Sequence, residues 1–155
     1  MATTSDPTTS EATAETTFTL EFPYKRSVGP VIGAFLTGLR DGKIVGVKAP
    51  DGRVICPPLE YDPESSRPLT DLVDVADTGT VHEWAWVTEP LRKHPLSRPF
   101  AWALIQLDGA DTRMLHAVDA GSPDDVRRGM RVRARWRSER KGHISDIECF
   151  ESEGA

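Results

Sequence analysis

The second half of the chain, residues 69–152, is a succession of short strand patterns separated by turn residues. Apolar and polar side chains alternate within each pattern, as they do in strands with one buried face. The predicted strands are residues 69–77, 80–88, 100–107, 113–119, 130–137 and 143–150. Five or six short strands, with one helical turn at 123–128, fit a small closed Greek-key barrel of the OB type. A β-sandwich needs more strands than this pattern supplies.

The residues before the barrel begin with a tail and an arm. Residues 1–17 are rich in Thr, Ala and Glu and carry little apolar surface, which predicts a disordered tail without a site. The next segment, 18–42, opens with Phe18, Leu20 and Phe22 alternating with polar residues. This alternation predicts a short strand or an extended arm that leads into a helix.

A helix of about three turns is predicted after the arm. Apolar residues, Phe35 and Leu39 among them, recur at helical spacing. Pro30 suits the first turn of such a helix, and Gly42 supplies its stop. Two alternatives are open for the apolar face. It packs on the chain's own barrel, or it is exposed and docks a partner through Phe35, Leu39 and Arg40.

Residues 43–68 have the outline of a zinc ribbon without its ligands. A structural zinc ribbon places paired cysteines on each of two knuckles that a hairpin joins. The hairpin pattern and the spacing are present, but the four ligand positions hold Lys48, Asp51, Asp62 and Ser65. One ammonium group, two carboxylates and a hydroxyl do not form a soft-ligand zinc site. The sequence therefore predicts that the zinc site is lost and that the chain binds no cofactor of its own.

Several motifs stand in an order that resembles a known family. A helix ending in Leu-Arg-Asp-Gly is followed by the first knuckle, by Gly-Arg-Val, by Pro-Pro and by the second knuckle. The barrel region contains Gly79-Thr80-Val81, Arg98-Pro99-Phe100-Ala101 and Gly129-Met130-Arg131-Val132. Over residues 22–152 this order resembles the zinc-ribbon and OB-fold family labelled domain of unknown function 35.

That resemblance implies both a fold and a function. The fold would be mainly β, with an N-terminal helix, a rubredoxin-like ribbon hairpin that lacks zinc, and a five- to six-stranded OB-fold barrel. Family members form complexes with thiolase-like proteins, which implies a non-catalytic subunit in a hetero-oligomer. The two subunits would share an acyl-CoA substrate, and the partner would carry out thiolysis or retro-aldol cleavage of steroid or fatty acyl CoA esters. The chain departs from the family pattern at all four metal positions, which puts metal binding in doubt but not the fold.

The segment 89–99 is a basic, proline-stiffened loop between two predicted barrel strands. Loops on a rigid scaffold often carry function, so contact with the partner or with CoA is predicted here. The alternative is a connector that its prolines merely restrain. The candidate residues are Arg92, Lys93, His94, Arg98 and, at the start of the next strand, Phe100.

Arg131, Arg133, Arg135 and Arg137 alternate along one predicted strand and would form a row of guanidinium groups on one face. Three interpretations are open. The row is a solvated face neutralised by acidic neighbours, a site for CoA phosphates, or, together with the four tryptophans, a site for single-stranded nucleic acid. The formal net charge of −5 disfavours nucleic acid as the main ligand.

The chain carries no signature of an enzyme. It has no Gly-x-Ser-x-Gly turn and no phosphate-binding glycine loop, and its four histidines lack metal-ligand spacing. Cys56 and Cys149 form no disulfide pattern, and the first residues do not resemble a signal peptide. No segment approaches the roughly 20 apolar residues of a membrane span. We therefore expect a cytoplasmic protein, away from the membrane and without activity of its own.

Overall fold

The computed structural model describes residues 17–154. The helix is α1 (Pro30–Arg40), and the strands are β1 (Ile44–Lys48), β2 (Val54–Ile55), β3 (Asp71–Val75), β4 (Thr78–Val87), β5 (Phe100–Leu107), β6 (Met114–Val118), β7 (Arg131–Trp136) and β8 (Ile147–Ser152). Two 3-10 turns, Pro123–Asp125 and Ile144–Asp146, precede β7 and β8. The predicted tail lies outside the described residues, apart from residue 17. None of the helices in the described part of the chain has the length and apolar character of a membrane-spanning segment.

Five strands close into a barrel in the order β4, β5, β6, β8, β7. Antiparallel pairing of β7 with β4 completes the closure. Strands β6 and β8 are parallel, with Val118 opposite Phe150. A five-stranded closed barrel of this kind is the OB fold. The predicted mainly β architecture is therefore confirmed, with one helix near the N-terminus and a separate small sheet.

The strand predicted at 69–77 lies in a different sheet from the one expected. It spans Asp71–Val75 as β3 and pairs antiparallel with β1, from Ile44 opposite Val75 to Lys48 opposite Asp71. The second sheet has the order β2, β1, β3. Alternation of apolar and polar residues identifies a strand but not its neighbour, so the assignment of this strand to the barrel was wrong.

Helix α1 packs on the chain's own core. Phe35 and Leu39 are 5% and 0% exposed, and they belong to the same apolar cluster as Val81 and Ile105 of the barrel. The helix also contacts β1 and the 3-10 turn before β8. The apolar face of the helix therefore packs on the chain's own barrel and is not exposed for a partner.

The start of α1 is held by a carboxylate from the ribbon. Glu60 accepts hydrogen bonds from Val31 N at 3.3 Å and from Ile32 N at 2.8 Å. A negative charge at a helix N-terminus is favourable because the first N–H groups have no partners within the helix. Gly29 leaves room for this cap, since a Cβ there would lie 2.2 Å from Glu60 Cδ.

The ribbon sheet, formed by β2, β1 and β3, joins the barrel core through Ile44 and Val75 and covers a second, smaller apolar cluster. The residues of this cluster are Val31, Val47, Ala49, Ile55 and Leu69. In the β5–β6 turn, Asp111 accepts from Val54 N through Oδ2 and donates from its own N to Val54 O, each at 2.8 Å. Thr112 Oγ1 accepts from Cys56 N at 2.8 Å and donates to Cys56 O at 2.9 Å. These two reciprocal pairs fix β2 and the residue after it against the barrel.

Candidate functional site

The loop between β4 and β5 folds back over the outer surface of the barrel. Leu96 is buried in a small cluster with Phe100, Ala117 and Cys149. Adjacent residues of a strand point to opposite faces, and Ala101, next along β5, lies in the barrel core instead. The loop therefore has its own apolar anchor on the outside of the barrel.

His94 fixes the tip of this loop. Its ring meets the edges of Phe100 and Trp102, with centroids 5.5 Å and 6.0 Å away. Leu91 N donates to His94 Nδ1 at 3.2 Å, and His94 N donates to Leu91 O at 2.9 Å. The turn between these residues is closed on both sides, so the loop presents the residues at its tip from a fixed base.

A cleft of about 410 Å³ lies between the loop and the end of β7. Its charged lining is Arg92, Arg98, Arg137 and Glu148, with His94 among the remaining residues. Three guanidinium groups thus border one cleft, and Lys93, which is exposed, lies beside it in the loop. Planar guanidinium groups match the geometry of carboxylate and phosphate oxygens.

The arginines of the cleft differ in their existing partners. Arg98 pairs with Asp119, and Arg137 Nε donates to Ser145 O at 2.8 Å. Burial opposes ionisation of Asp119, but hydrogen bonds from Arg98 and Arg135 outweigh it and hold the pKa of Asp119 below its ordinary value. Within residues 17–154, Arg92 forms no ion pair and is the cleft arginine with the most freedom to bind an anion.

The arginine row is largely neutralised by carboxylates from neighbouring strands and turns. Arg131 binds both oxygens of Asp108, at 2.7 and 2.5 Å. Arg135 donates to Glu148 at 2.8 Å and to Glu151 at 2.9 Å. These contacts favour the interpretation of the row as an ion-paired strand face. Only Arg137, at its end, also borders the cleft.

The tryptophans lie against apolar clusters. Trp84, Trp86 and Trp136 are partly buried on the barrel core, and Trp102 is partly buried under the loop. A stacking platform for bases needs exposed ring faces. Together with the paired arginines, this placement disfavours the nucleic-acid alternative.

The buried thiols offer no nucleophile. Burial raises the pKa of Cys56 to about 12. Burial likewise raises the pKa of Cys149 to about 12, although Arg135 opposes the shift. The thiolate is the reactive form of cysteine, so both side chains act as small apolar groups in this structure.

The predicted contact residues fall into three groups. Phe35, Leu39 and Phe100 are buried in this chain's own clusters and present no surface to a partner. Arg40 is exposed at the end of α1, where its carbonyl oxygen accepts from Arg140 Nε at 3.0 Å. The residues that come together at the loop are Arg92, Lys93, His94 and Arg98.

The sequence did not predict that Arg137 and Glu148 lie beside this loop. The alternation of arginines predicted that Arg137 lies on a strand. Which residues lie next to it depends on how the loop folds, and this is not visible in the pattern. A proline-stiffened loop that also carried apolar Leu96 was the available signal, because such a loop can pack on the barrel surface.

The residues at the four predicted metal positions do not fit a zinc ion. Asp62 Oδ2 accepts from Ser65 N at 3.0 Å and from Ser65 Oγ at 2.5 Å. Asp51 is bound by Arg53, and Lys48 supplies a cation in place of a thiolate. In the described range 17–154, no three His, Cys, Asp or Glu residues are grouped so that they could hold a metal. The donor chemistry at these positions therefore disagrees with a structural zinc site.

The fold defines a class of protein, namely an OB-fold domain joined to a helix and a small three-stranded sheet. Residues 72–137 match the family described as ChsH2, C-terminal OB-fold domain. This match covers less than half of the chain and agrees with the closed barrel seen in the same region.

Two solved structures resemble the fold. One is a protein of unknown function from the DUF35 family of Sulfolobus solfataricus, with a TM-score of 0.55 and 22% identity over 68% of this chain and 78% of that chain. The other is the Ltp2-ChsH2(DUF35) aldolase, with a TM-score of 0.60 and 20% identity over 83% of this chain and 98% of that chain. At these identities the likeness shows the fold alone. No curated protein matches the chain.

Proposed function

We propose that this chain is a non-catalytic accessory subunit that binds a thiolase-like enzyme and helps form its acyl-CoA site. The partner would carry out thiolysis or retro-aldol cleavage of CoA esters such as steroid or fatty acyl side chains. The observation that carries the proposal is the likeness to the Ltp2-ChsH2(DUF35) aldolase over 83% of the chain, joined to the family match at 72–137.

The chemistry of the chain supports a role in which the partner supplies the reacting groups. Cys56 and Cys149 are buried and protonated, and the buried carboxylates of Asp62 and Asp146 accept hydrogen bonds from their own turns. Asp146, for example, is enclosed by backbone N–H groups of its own loop. Side chains held in this way contribute to folding, and the exposed surface is left to bind.

The exposed apolar arm is the surface that we assign to the thiolase-like partner. Phe18, Leu20, Phe22 and Tyr24 are between 64% and 83% exposed and follow one another at alternate positions. Leu59 and Tyr61, on either side of the helix-capping Glu60, are exposed as well. Several large apolar side chains exposed within a short segment mark a protein interface more often than a solvated face.

The cleft beside the β4–β5 loop is the place that we assign to the phosphates of CoA. Arg92 is free to bind an anion, and Arg98 and Arg137 border the same cleft with charges that Asp119 and Glu148 partly offset. Charge-assisted hydrogen bonds from guanidinium to phosphate are among the stronger polar contacts in proteins. The partner would cover the acyl part of the substrate.

Co-expression with a thiolase-like enzyme tests the proposal. We expect the two chains to elute together on size exclusion, and the triple change Phe18→Ser, Leu20→Ser and Phe22→Ser to separate them. Thr19→Ser with Glu21→Gln, on the alternate positions of the arm, is the matched control and should leave the complex intact. Separate elution of the wild-type chains, with the partner's solubility and activity unaltered, would contradict the proposal.

The cleft is tested within the assembled complex. Arg92→Met should raise the KM for the acyl-CoA substrate about tenfold, because one charge-assisted contact is lost, and should leave co-elution unchanged. Arg113→Met removes an exposed arginine elsewhere on the barrel and serves as the control. Equal KM values for both variants and the wild type would remove the cleft from the substrate site.

A further inference from the structure

The ribbon has two turns, here called knuckles, whose side chains are poorly suited to binding a metal between them. The first knuckle is the turn between β1 and β2, residues 49–53, and the second is the turn at 62–66. In a zinc ribbon a single cation bound by both knuckles holds them together. The structure places a different cation between these two turns.

Arg53 belongs to the first knuckle and reaches the second. Its Nε contacts the carboxylate of Asp51 within its own turn. Its Nη2 donates to Glu64 Oε1, in the other turn, at 2.8 Å. One guanidinium group therefore bridges two carboxylates that belong to opposite knuckles.

Each knuckle is also closed by a carboxylate at a former ligand position. Arg53 N donates to Asp51 Oδ1 at 2.9 Å, and Ser65 N donates to Asp62 Oδ2 at 3.0 Å. Side chains of Asp that accept from the backbone a few residues later stabilise tight turns without any other ligand. The turns are thus stabilised by hydrogen bonds within the chain.

The charges agree with this arrangement. Hydrogen bonds from the backbone and side chain of Arg53 hold the pKa of Asp51 below its ordinary value. Hydrogen bonding by Ser65 does the same for the pKa of Asp62. Both carboxylates are therefore ionised at neutral pH and complement the fixed charge of Arg53.

We propose that the Arg53 guanidinium replaces the metal as the cation that links the two knuckles, so that the ribbon folds without zinc. This inference does not depend on the proposed partner, because it concerns contacts within the chain alone. It rests on the bridge from Asp51 through Arg53 to Glu64 and on the disagreement between the donor set and zinc.

Amide hydrogen exchange on the full chain, followed by NMR, tests the bridge. Ser66 N donates to Asp62 O and Gly52 N donates to Ala49 O, each within one knuckle. Arg53→Met should speed exchange at these two amides about two- to fivefold, the range expected for an exposed ion pair. Barrel amides should be unaffected. Arg67→Met, an exposed arginine beside the second knuckle, is the control and should leave all rates unchanged.

A second variant and a metal titration complete the test. Glu64→Gln should speed exchange at the same amides, and adding it to Arg53→Met should bring little further change, since both remove one bridge. Zinc chloride added to the wild-type chain should leave the rates unaltered. Equal rates in Arg53→Met and Arg67→Met would overturn the proposal. One equivalent of tightly bound zinc that protects the knuckle amides would overturn it too.

Discussion

The barrel and the ribbon sheet are stabilised in different ways. The barrel encloses a large apolar cluster in which side chains such as Phe150 and Ile105 are completely buried. The small sheet borders a second cluster of five smaller members, shares Ile44 and Val75 with the barrel cluster, and is joined to the barrel by hydrogen bonds to Asp111 and Thr112. Apolar burial therefore dominates the stability of the barrel, whereas a smaller apolar contact and a few hydrogen bonds together hold the ribbon against it.

Removing a large barrel side chain should have the greatest effect. Phe150 is fully buried, with its ring edge-on to His116 at 5.4 Å between centroids. Phe150→Ala should lower the free energy of unfolding by about 3 to 5 kcal/mol, because apolar contacts are lost and a cavity remains. Urea denaturation measures this loss. Leu115→Ala, at an exposed position of β6, should cost far less. Similar losses in the two variants would contradict the claim that burial in the barrel core dominates stability.

Asp146 provides a polar exception within the barrel. It is 2% exposed, and its carboxylate accepts from Lys141 N, Gly142 N and His143 N at 2.7 to 3.1 Å. Asp146→Asn should lower the free energy of unfolding by about 2 to 3 kcal/mol at pH 7, as expected for hydrogen bonds to a buried charge. Asp74→Asn, at an exposed position of β3, is the control.

The effect of Asp146 should depend on pH with a definite sign. Burial opposes its ionisation, but the three amide donors outweigh burial and hold the pKa of Asp146 below its ordinary value. A group whose pKa is lowered by folding contributes stability above its unfolded pKa, about 3.9, and loses it as the pH falls through the folded value. The difference between wild type and Asp146→Asn should therefore be full at pH 7 and shrink below about pH 4. A difference that grows on acidification would contradict this assignment.

Much of the barrel could be predicted from the sequence, because alternation and turn residues are local signals. The strand predicted at 100–107 coincides with β5, and that predicted at 80–88 overlaps β4, Thr78–Val87. The strand at 69–77 was assigned to the wrong sheet, since its partner β1 is chosen by packing under α1 and not by any local pattern. Strand type follows from the sequence, whereas pairing follows from the core.

The candidate site was predictable only in part, for a similar reason. The loop at 89–99 was identified from its composition, but its anchor beneath Leu96 joins residues of three different strands. The bridge at Arg53 was also missed, because Glu64 is eleven residues away and no spacing rule links the two. Contacts between side chains that are distant in sequence depend on the finished fold, so they could not be deduced beforehand.

Thr112 tests whether polar contacts place the ribbon. Its hydroxyl is the partner of both the N–H and the C=O of Cys56. Thr112→Val keeps the shape of the side chain but leaves these backbone groups unpaired, which should cost about 1 kcal/mol. The Cys56 amide should exchange faster, while barrel amides keep their rates. Thr70→Val, at an exposed position before β3, is the matched control. A uniform increase at barrel amides would show that the ribbon and the barrel unfold as one unit.

The smallest effect on stability is expected from the arginine row, and its clearest readout is a pKa. Hydrogen bonds from Arg131 and then from Thr78 lower the pKa of Asp108 to about 2. In Arg131→Met this pKa should rise towards the ordinary value of about 3.9, and the remaining Thr78 Oγ1 contact at 2.6 Å should hold it somewhat below. The stability that Asp108 contributes through this shift is present above about pH 4 and is lost as the pH falls towards 2, so the variant should show little of this pH dependence.

Carbon-detected NMR titration of the Asp108 carboxyl group measures this shift, and Arg133→Met provides the control because Arg133 lies 3.7 Å from Glu153 and does not pair with Asp108. The urea midpoint at pH 7 should change little in either variant, since exposed ion pairs are weak. A large loss of stability in Arg131→Met would mean that the charged face of β7 supports the barrel as its apolar interior does. An unchanged pKa of Asp108 would mean that the hydrogen bond from Thr78 alone is enough to lower it. Burial therefore decides how much a carboxylate contributes to the free energy of unfolding. The contribution is large at Asp146, which is enclosed, and small at Asp108, which water reaches.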